Sequence, residues 1–257
     1  MDGSQPDLAG RRVLVPGGTG GVGEGIVRRY LAAGADVVVP TRAEARAAEF
    51  RQLLGDAASP RLHLVVHDYT TFASAERLAG EMERLLGGID DVAAPIGGFW
   101  AGRRLWEVTE ADWQAAFTGL ATAHMAVLRA ALPRLNRDGA YHLIIGGSAF
   151  TPVPGSGLVS MEQAALLMMQ RVLAAELADT KRVFALVLGP VNTRQAEAAD
   201  SDWVTAEQVG AVAVAASLAT AGGEEIRLLS QADVPAALAR LASGESQAGT
   251  AFHNLNR

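Results

Sequence analysis

Short apolar runs alternate with long Ala- and Leu-rich segments along the whole chain, and this alternation restricts the possible folds most strongly. The apolar runs are almost continuous, which is typical of strands buried on both faces of a parallel sheet. Strands are predicted at residues 12–16, 36–40, 62–67, 92–96, 141–146, 183–188 and 226–229. Helices are predicted at residues 23–33, 43–54, 74–86, 110–135, 160–178, 205–219 and 232–242. The pattern predicts an α/β fold with a doubly wound parallel sheet.

The 257 residues contain no linker, repeat or low-complexity stretch, so we expect one domain over residues 1–257. Residues 1–10 are interpreted as an N-terminal arm and residues 244–257 as a C-terminal tail. Hydrophobic residues make up 49% of the chain and charged residues 19%, which is typical of a globular protein.

The charge and residue counts exclude several classes of function. A net charge of −6 provides no basic surface for nucleic acid or anionic lipid. The chain has no cysteine, which excludes disulfides, thiolate metal sites and a cysteine nucleophile, and no His, Asp and Glu residues have metal-site spacing. No segment approaches the roughly 18 apolar residues of a membrane span, and the N-terminus has no apolar leader. We therefore expect a cytoplasmic protein without a metal or a membrane contact.

A glycine-rich loop follows the first predicted strand and precedes a helix. Within it, Gly18, Gly20 and Gly23 match the pattern G-x-G-x-x-G. The glycines allow a tight turn and a close approach of the backbone to a pyrophosphate, which the helix N-terminus then stabilises. The loop therefore predicts a dinucleotide site, with cofactor contacts at Gly17, Thr19, Gly20, Gly21, Val22 and Gly23.

The end of the second predicted strand indicates which dinucleotide binds. NAD sites usually have an acidic residue here for the ribose 2′-hydroxyl, but this strand is followed by Thr41 and Arg42. A guanidinium suits a 2′-phosphate through charge-assisted hydrogen bonds. We therefore expect NADP(H) rather than NAD(H), although Arg42 could instead be a surface residue at the start of the next helix.

Several motifs resemble those of the short-chain dehydrogenase/reductase family, and the resemblance extends over nearly the whole chain. Residues 16–23 resemble the family motif T-G-x-x-x-G-x-G, with Pro16 where Thr is usual. Residues 144–148 are similar to the strand that delivers the catalytic Ser, and residues 188–193 are similar to P-G-P-V-x-T. The resemblance implies a Rossmann fold and hydride transfer between a nicotinamide and a carbonyl or alcohol.

The same resemblance implies roles for individual residues. Asp68 and Tyr69 would contact the adenine, and Gly97 is what remains of the family motif N-N-A-G. Ser148 would polarise a substrate carbonyl. The residues that would lie against the nicotinamide are Val191 and Thr193.

The family's proton donor is a Tyr, and a Lys follows it four residues later. Counting back from Glu176 puts Val159 and Gln163 at these two positions. A register shifted by two residues puts Met161 and Ala165 there instead. Neither register contains the pair.

Residue counts lead to the same expectation. The chain has one lysine, Lys181, which lies beyond the predicted helix, and its three tyrosines are Tyr30, Tyr69 and Tyr141. The position of the family's Asn falls at Leu120. Of the four catalytic residues that the resemblance implies, only Ser148 is expected to remain.

Further residues near the predicted site have less specific roles. Trp100, Thr151 and Val159 are predicted to contact substrate, and the aromatic residues after the fourth strand could wall an apolar pocket or pack over the sheet. Ser160 and Gln163 are interpreted as an N-cap and its capping box. His124, on an apolar helix, is expected to be a packed residue.

The sequence leaves three functions open. The first is an atypical NADP(H)-dependent oxidoreductase for a small, apolar substrate, with water or the substrate as the proton source. The second is a non-redox enzyme on the same scaffold, such as a cyclase, dehydratase or isomerase, and the third is a catalytically silent NADP(H)-binding regulatory protein. The low-charge helices at residues 110–135 and 160–178 are those that the family uses in its dimers and tetramers, so we expect a homodimer or homotetramer.

Overall fold

Seven parallel strands form the central sheet in a computed structural model that describes residues 6–177, 180–196, 198–220 and 222–244. The strands of this sheet are β1 (Arg12–Leu14), β2 (Asp36–Thr41), β3 (Leu62–Val66), β4 (Ile89–Ala94), β5 (Leu135–Gly146), β6 (Arg182–Leu188) and β9 (Glu225–Leu228). Two short strands, β7 (Val191–Asn192) and β8 (Val204–Thr205), lie between β6 and β9 in the chain. The strand order in the central sheet is β3-β2-β1-β4-β5-β6-β9, and β7 and β8 form a separate pair. The chain reverses its direction of winding between β3 and β4, which confirms the predicted doubly wound α/β fold.

Helices cover both faces of this sheet. They are α1 (Gly21–Ala32), α2 (Glu44–Leu54), α3 (Phe72–Leu86), α4 (Glu110–Trp113), α5 (Gly119–Ala131), α6 (Gly157–Leu177), α7 (Ala206–Leu218) and α8 (Asp233–Ser243). One core cluster lies between the sheet and α1, α2, α7 and α8, and the other lies between the sheet and α3, α5 and α6. Adjacent residues of β1, Val13 and Leu14, belong to opposite clusters, as expected for a strand buried on both faces.

The observed boundaries differ from the predicted ones where local geometry interrupts the pattern. The helix predicted at 110–135 consists of α4, a π-helical turn at Gln114–Thr118, α5 and a 3₁₀ turn at Leu132–Arg134. The 3₁₀ turn contains Pro133, which cannot donate a backbone hydrogen bond to the preceding helical turn. The strands β7 and β8 have two residues each, which is too short to produce a periodic pattern.

Two expectations about the ends of the chain and about membranes need correction. The predicted N-terminal arm includes Leu8, which is buried in the core and donates its backbone N–H to Ala33 O at 2.7 Å.

The helical run Glu110–Arg134 is long and apolar enough to pass as a membrane span, with a mean hydropathy of 1.3. Half of its apolar window is buried inside the protein, where it packs as a core helix. Residues 1–5 and most of the predicted tail lie outside the described residues.

Candidate functional site

The loop between β1 and α1 requires glycine for steric reasons. Gly17 has φ +86°, and a Cβ there would lie 2.3 Å from Pro95 O. A Cβ on Gly23 would lie 2.3 Å from Gly17 O. Gly20, the N-cap of α1, makes no side-chain capping bond, so the first turn of α1 offers backbone N–H groups to an anion.

A cavity of about 750 Å³ opens beside this loop at the carboxyl edge of the sheet. Its size lies within the roughly 300–1,000 Å³ that is typical of small-molecule sites. The segments after β4, β5 and β6 and the first turns of α6 form its other walls. The predicted site residues that line it are Gly20, Gly21, Val22, Gly23, Gly97, Ser148, Thr151, Val159, Val191 and Thr193. The structure therefore brings together residues from five separate segments of the chain.

Other predicted residues lie outside the described lining of this cavity: Gly17, Thr19, Thr41, Arg42, Asp68, Tyr69 and Trp100. Arg42 is exposed after β2 and lies close to Asp68 and Tyr69, which come shortly after β3. Although partial burial opposes it, hydrogen bonds from Thr70 and the charge of Arg42 hold the pKa of Asp68 below its ordinary value. Arg42, Asp68 and Tyr69 thus form one group beside the cavity. They come together because β2 and β3 are adjacent in the sheet and end at the same edge.

Trp100 lies outside the described lining of the cavity, and its side chain is near Asp112 and helps to lower the pKa of that carboxyl. The neighbouring Phe99 instead lines the mouth of the cavity and is 82% exposed. Successive residues of this extended segment face different ways, which the sequence pattern did not distinguish.

Gln163 has a different role from the predicted capping box. The helix α6 begins at Gly157, so Ser160 lies inside it, where its hydroxyl donates to Ser156 O at 3.3 Å. Gln163 lines the cavity, and its Oε1 accepts the backbone N–H of Gly146 at 2.5 Å. An ideal Cβ on Gly146 would lie 3.5 Å from Ser148 Oγ and 3.6 Å from Gln163 Oε1, so these two polar groups are neighbours.

Glu162 is a buried carboxyl directly behind this wall. Its Oε2 accepts the Nε2–H of Gln163 at 2.5 Å, whereas its Oε1 has no hydrogen-bond partner. Burial raises the pKa of Glu162 to about 7, although the bond from Gln163 acts in the opposite direction. Sequence reasoning missed this arrangement, because the start of α6 was predicted three residues too late.

His124 is fully buried beside Glu162, as expected for a packed residue. Its Nε2–H donates to Ile96 O at 2.8 Å, and the same nitrogen lies 3.9 Å from Glu162 Oε1. Its Nδ1 has no hydrogen-bond partner. Burial lowers the pKa of His124 to about 4, despite the bond to Ile96, so the ring is neutral at ordinary pH.

Two arginines near the glycine loop were not predicted as site residues. Arg46, in the first turn of α2, donates to Thr19 O at 3.0 Å. Arg194, after β7, donates to the same carbonyl at 3.2 Å and forms an ion pair with Glu24 at 2.8 Å. Both could have been predicted from the sequence, because Arg46 follows the second strand and Arg194 follows the segment that resembles P-G-P-V-x-T. Among the residues that the structure describes, no group of His, Asp and Glu could hold a metal ion.

A family model described as enoyl-(acyl carrier protein) reductase matches residues 17–251. The chain is 28% identical over 221 residues to the hydroxysteroid 11-beta-dehydrogenase 1-like protein of Xenopus tropicalis, an alignment covering 84% of this chain and 76% of the relative. It is 32% identical over 241 residues to the 1-deoxy-11-beta-hydroxypentalenate dehydrogenase of Streptomyces arenae, covering 88% of this chain and 84% of the relative.

A solved structure shows the same fold. It is a short-chain dehydrogenase from Burkholderia cenocepacia J2315 in complex with NADP, with a TM-score of 0.75 and 23% sequence identity. The alignment covers 86% of this chain and 96% of that one.

Proposed function

This chain belongs to the short-chain dehydrogenase/reductase superfamily, and from that premise we propose that it is an oxidoreductase that uses NADP(H) on a small, apolar substrate. One observation carries the proposal. The glycine loop, the uncapped N-terminus of α1 and the ends of β4, β5 and β6 converge on one cavity. A nicotinamide dinucleotide bound there would supply a hydride, and the protein would supply position and surroundings.

The loop fits a dinucleotide on steric grounds. Gly17 and Gly23 leave no room for a Cβ, so this tight turn needs glycine, and the first turn of α1 that follows it offers backbone N–H groups to a pyrophosphate. Gly21 is equally restricted, because a Cβ there would lie 2.8 Å from the Cβ of Thr193. Thr193 therefore closes over the loop from the segment after β6, where the family resemblance expects the nicotinamide.

Preference for the 2′-phosphate of NADP(H) is supported by the charges beside β2. The strand ends at Thr41 without an acidic residue, and Arg42 follows it. Arg46 adds a second guanidinium next to the loop. Two arginines follow a strand that ends without an acidic residue, and this suits a phosphate better than a ribose hydroxyl.

We place the family's Tyr and Lys positions at Val159 and Gln163. Both line the cavity near Ser148, whereas Met161 and Ala165, from the alternative register, are exposed and lie outside its described lining. With this register the chain has neither the phenol nor the ammonium. Among the hydroxyls that line the cavity, we assign Ser148 to hydrogen-bond a substrate, and any proton would come from water or from the substrate.

Deuterium transfer tests the redox function directly. NADPH deuterated at its transferable position is incubated with the protein and a panel of small ketones, quinones and imines, alongside protein-free reactions. We expect deuterium in at least one product, together with loss of the reduced-nicotinamide absorbance. Cofactor binding without deuterium in any ketone or imine product, and without loss of the reduced-nicotinamide absorbance with any quinone, would contradict an oxidoreductase and favour a regulatory or non-redox function.

A further inference from the structure

The polar side chains in the described lining of the cavity are all uncharged. They are hydroxyls and amides, namely Ser148, Thr151, Ser156, Gln163, Thr193 and Gln195. Reduction of a carbonyl develops negative charge on oxygen, and a positioned acid that neutralises this charge contributes about 10²–10⁴-fold. Hydroxyls and amides are not acids in the neutral pH range. A carbonyl acceptor would therefore meet no protonating side chain in this lining.

The ionisable group closest behind the wall is a carboxyl. Gln163 connects it to the cavity, since the Gln163 amide lines the cavity and donates to Glu162 Oε2. The other carboxyl oxygen, Oε1, is buried without a hydrogen-bond partner. A carboxyl in this condition is stabilised in its charged form by a positive charge nearby.

No cation of the described residues offsets Glu162. The titratable group that faces it from the neighbouring helix α5 is His124, which burial keeps neutral above about pH 4. Its other polar contact is Gln163, which is neutral. Ionisation of Glu162 therefore leaves a net negative charge behind the cavity wall.

We propose that the cavity takes a cationic hydride acceptor, an iminium ion with an apolar body. The inference rests on the proposed function and names its substrate class. A hydride from the reduced nicotinamide forms a C–H bond at the iminium carbon, and the π electron pair of the C=N bond moves to nitrogen. The nicotinamide is oxidised, the iminium is reduced to a neutral amine, and no proton is consumed. This balance matches a cavity that has apolar walls, no acid and a carboxyl behind it.

Binding of a cation in the cavity should release a proton from Glu162. A cation held against Gln163 favours the ionised form of Glu162, which is partly protonated near neutral pH because burial raises its pKa to about 7. Binding of a cation then expels a proton. If the cation lowers that pKa by one unit, about half a proton is released per site at pH 6.5.

Calorimetry with a permanently charged probe tests the binding step without turnover. N-methyl-3,4-dihydroisoquinolinium and the neutral ketone 1-tetralone, which has a similar shape, are titrated into protein saturated with 1,4,5,6-tetrahydro-NADPH, whose ring is uncharged and cannot transfer a hydride. Titrations at pH 6.5 in two buffers with different ionisation enthalpies give the number of protons released. We expect the iminium to bind at least 10-fold more tightly than the ketone, with proton release for the iminium alone.

Three variants locate the effect. Glu162→Gln should abolish proton release and weaken iminium binding several-fold without changing ketone binding. Gln163→Lys places a cation in the wall and should weaken iminium binding more strongly, which keeps the test open if Glu162→Gln folds poorly. Glu176→Gln, an exposed change on the same helix, is the matched control and should behave like the wild type.

Turnover with NADPH distinguishes failure of the iminium proposal from failure of the proposed oxidoreductase function. We expect reduction of the iminium at least 100-fold faster than reduction of 1-tetralone. Reduction of ketones or quinones with equal or better efficiency, or iminium binding without proton release, would overturn the iminium proposal and leave the oxidoreductase intact. Absence of NADPH binding, or iminium binding without hydride transfer to any acceptor, would overturn the proposed oxidoreductase itself.

Discussion

The glycines and the strand-end residues of the site can be located from short sequence motifs, whereas the contact between Glu162 and His124 cannot. Gly17 and Gly23 are required by close backbone approaches within one turn, so the sequence motif alone locates them. Ser148 follows the end of a strand and therefore lies at the ligand-binding edge. The position of Glu162 depends on where α6 begins and on how α5 packs against it. Neither is encoded in a short motif.

Glu162 should make stability depend on pH. Its ordinary pKa of 4.5 rises to about 7 in the folded protein because of burial, so the folded state binds the proton more tightly. This contribution is present below pH 4.5 and is lost as pH rises through 7. Glu162→Gln does not titrate and should therefore gain about 2 kcal/mol relative to the wild type between pH 5 and pH 8.

Urea denaturation at the two pH values measures this change, with Glu176→Gln as the exposed control. If the free energies of unfolding of Glu162→Gln and the wild type differ by the same amount at both pH values, Glu162 is already ionised in the folded state at pH 5.

Arg42 should determine the choice of cofactor. Its guanidinium follows a strand that ends without an acidic residue, so it should bind the 2′-phosphate. A hydrogen bond to a charged group contributes about 1.5–3 kcal/mol, so Arg42→Ala should weaken NADPH binding at least roughly 10-fold. NADH binding should change little.

Fluorescence titration of both cofactors checks this, and Arg51→Ala, at the other end of α2, is the control because it is also exposed. An equal loss for NADPH and NADH would show that Arg42 does not read the phosphate.

At the scale of elements, the positions and parallel arrangement of the seven central strands were predictable, because buried parallel strands are continuous apolar runs. The strand β5 begins at Leu135, well before its predicted start at residue 141, since its first residues are polar and mostly exposed. The π-helical turn before α5 was also missed, because its residues keep a helical apolar pattern. The hydrophobic pattern thus predicts the buried parts of strands and helices better than it predicts where these elements begin and end.

Close contact between α1 and α7 depends on Gly25. A Cβ at this position would lie 2.2 Å from the backbone carbon of Ala206. Gly25→Ala should therefore force the helices apart and destabilise the protein by about 1–3 kcal/mol. Gly80→Ala, on α3, is the matched control because its Cβ would meet nothing within 4 Å.

In a helix the Gly80→Ala change should stabilise the protein by about 0.5–1 kcal/mol. Thermal unfolding of both variants measures the difference. Equal melting temperatures would show that α1 and α7 tolerate a wider separation.

At the scale of the whole molecule, α5 and α6 expose apolar side chains away from the sheet. Met125 is 40% exposed, Met168 is 55% exposed and Val172 is 46% exposed. Such a face suits burial against another copy of the chain, so we expect a homodimer or homotetramer. Met168→Glu should shift the protein toward smaller species.

Light scattering coupled to size-exclusion chromatography measures this shift. Leu53→Glu, a partly exposed apolar position on α2, is the control and should leave the assembly unchanged. A wild-type protein that elutes as a monomer at high concentration would contradict the assignment of this face.

We propose an NADP(H) site joined to a cavity that lacks the family's Tyr and Lys. Calorimetric titration of the wild-type protein with NADPH and with NADH tests it most directly. We predict one site per chain that binds NADPH at least 10-fold more tightly than NADH. No binding of either cofactor would contradict the account.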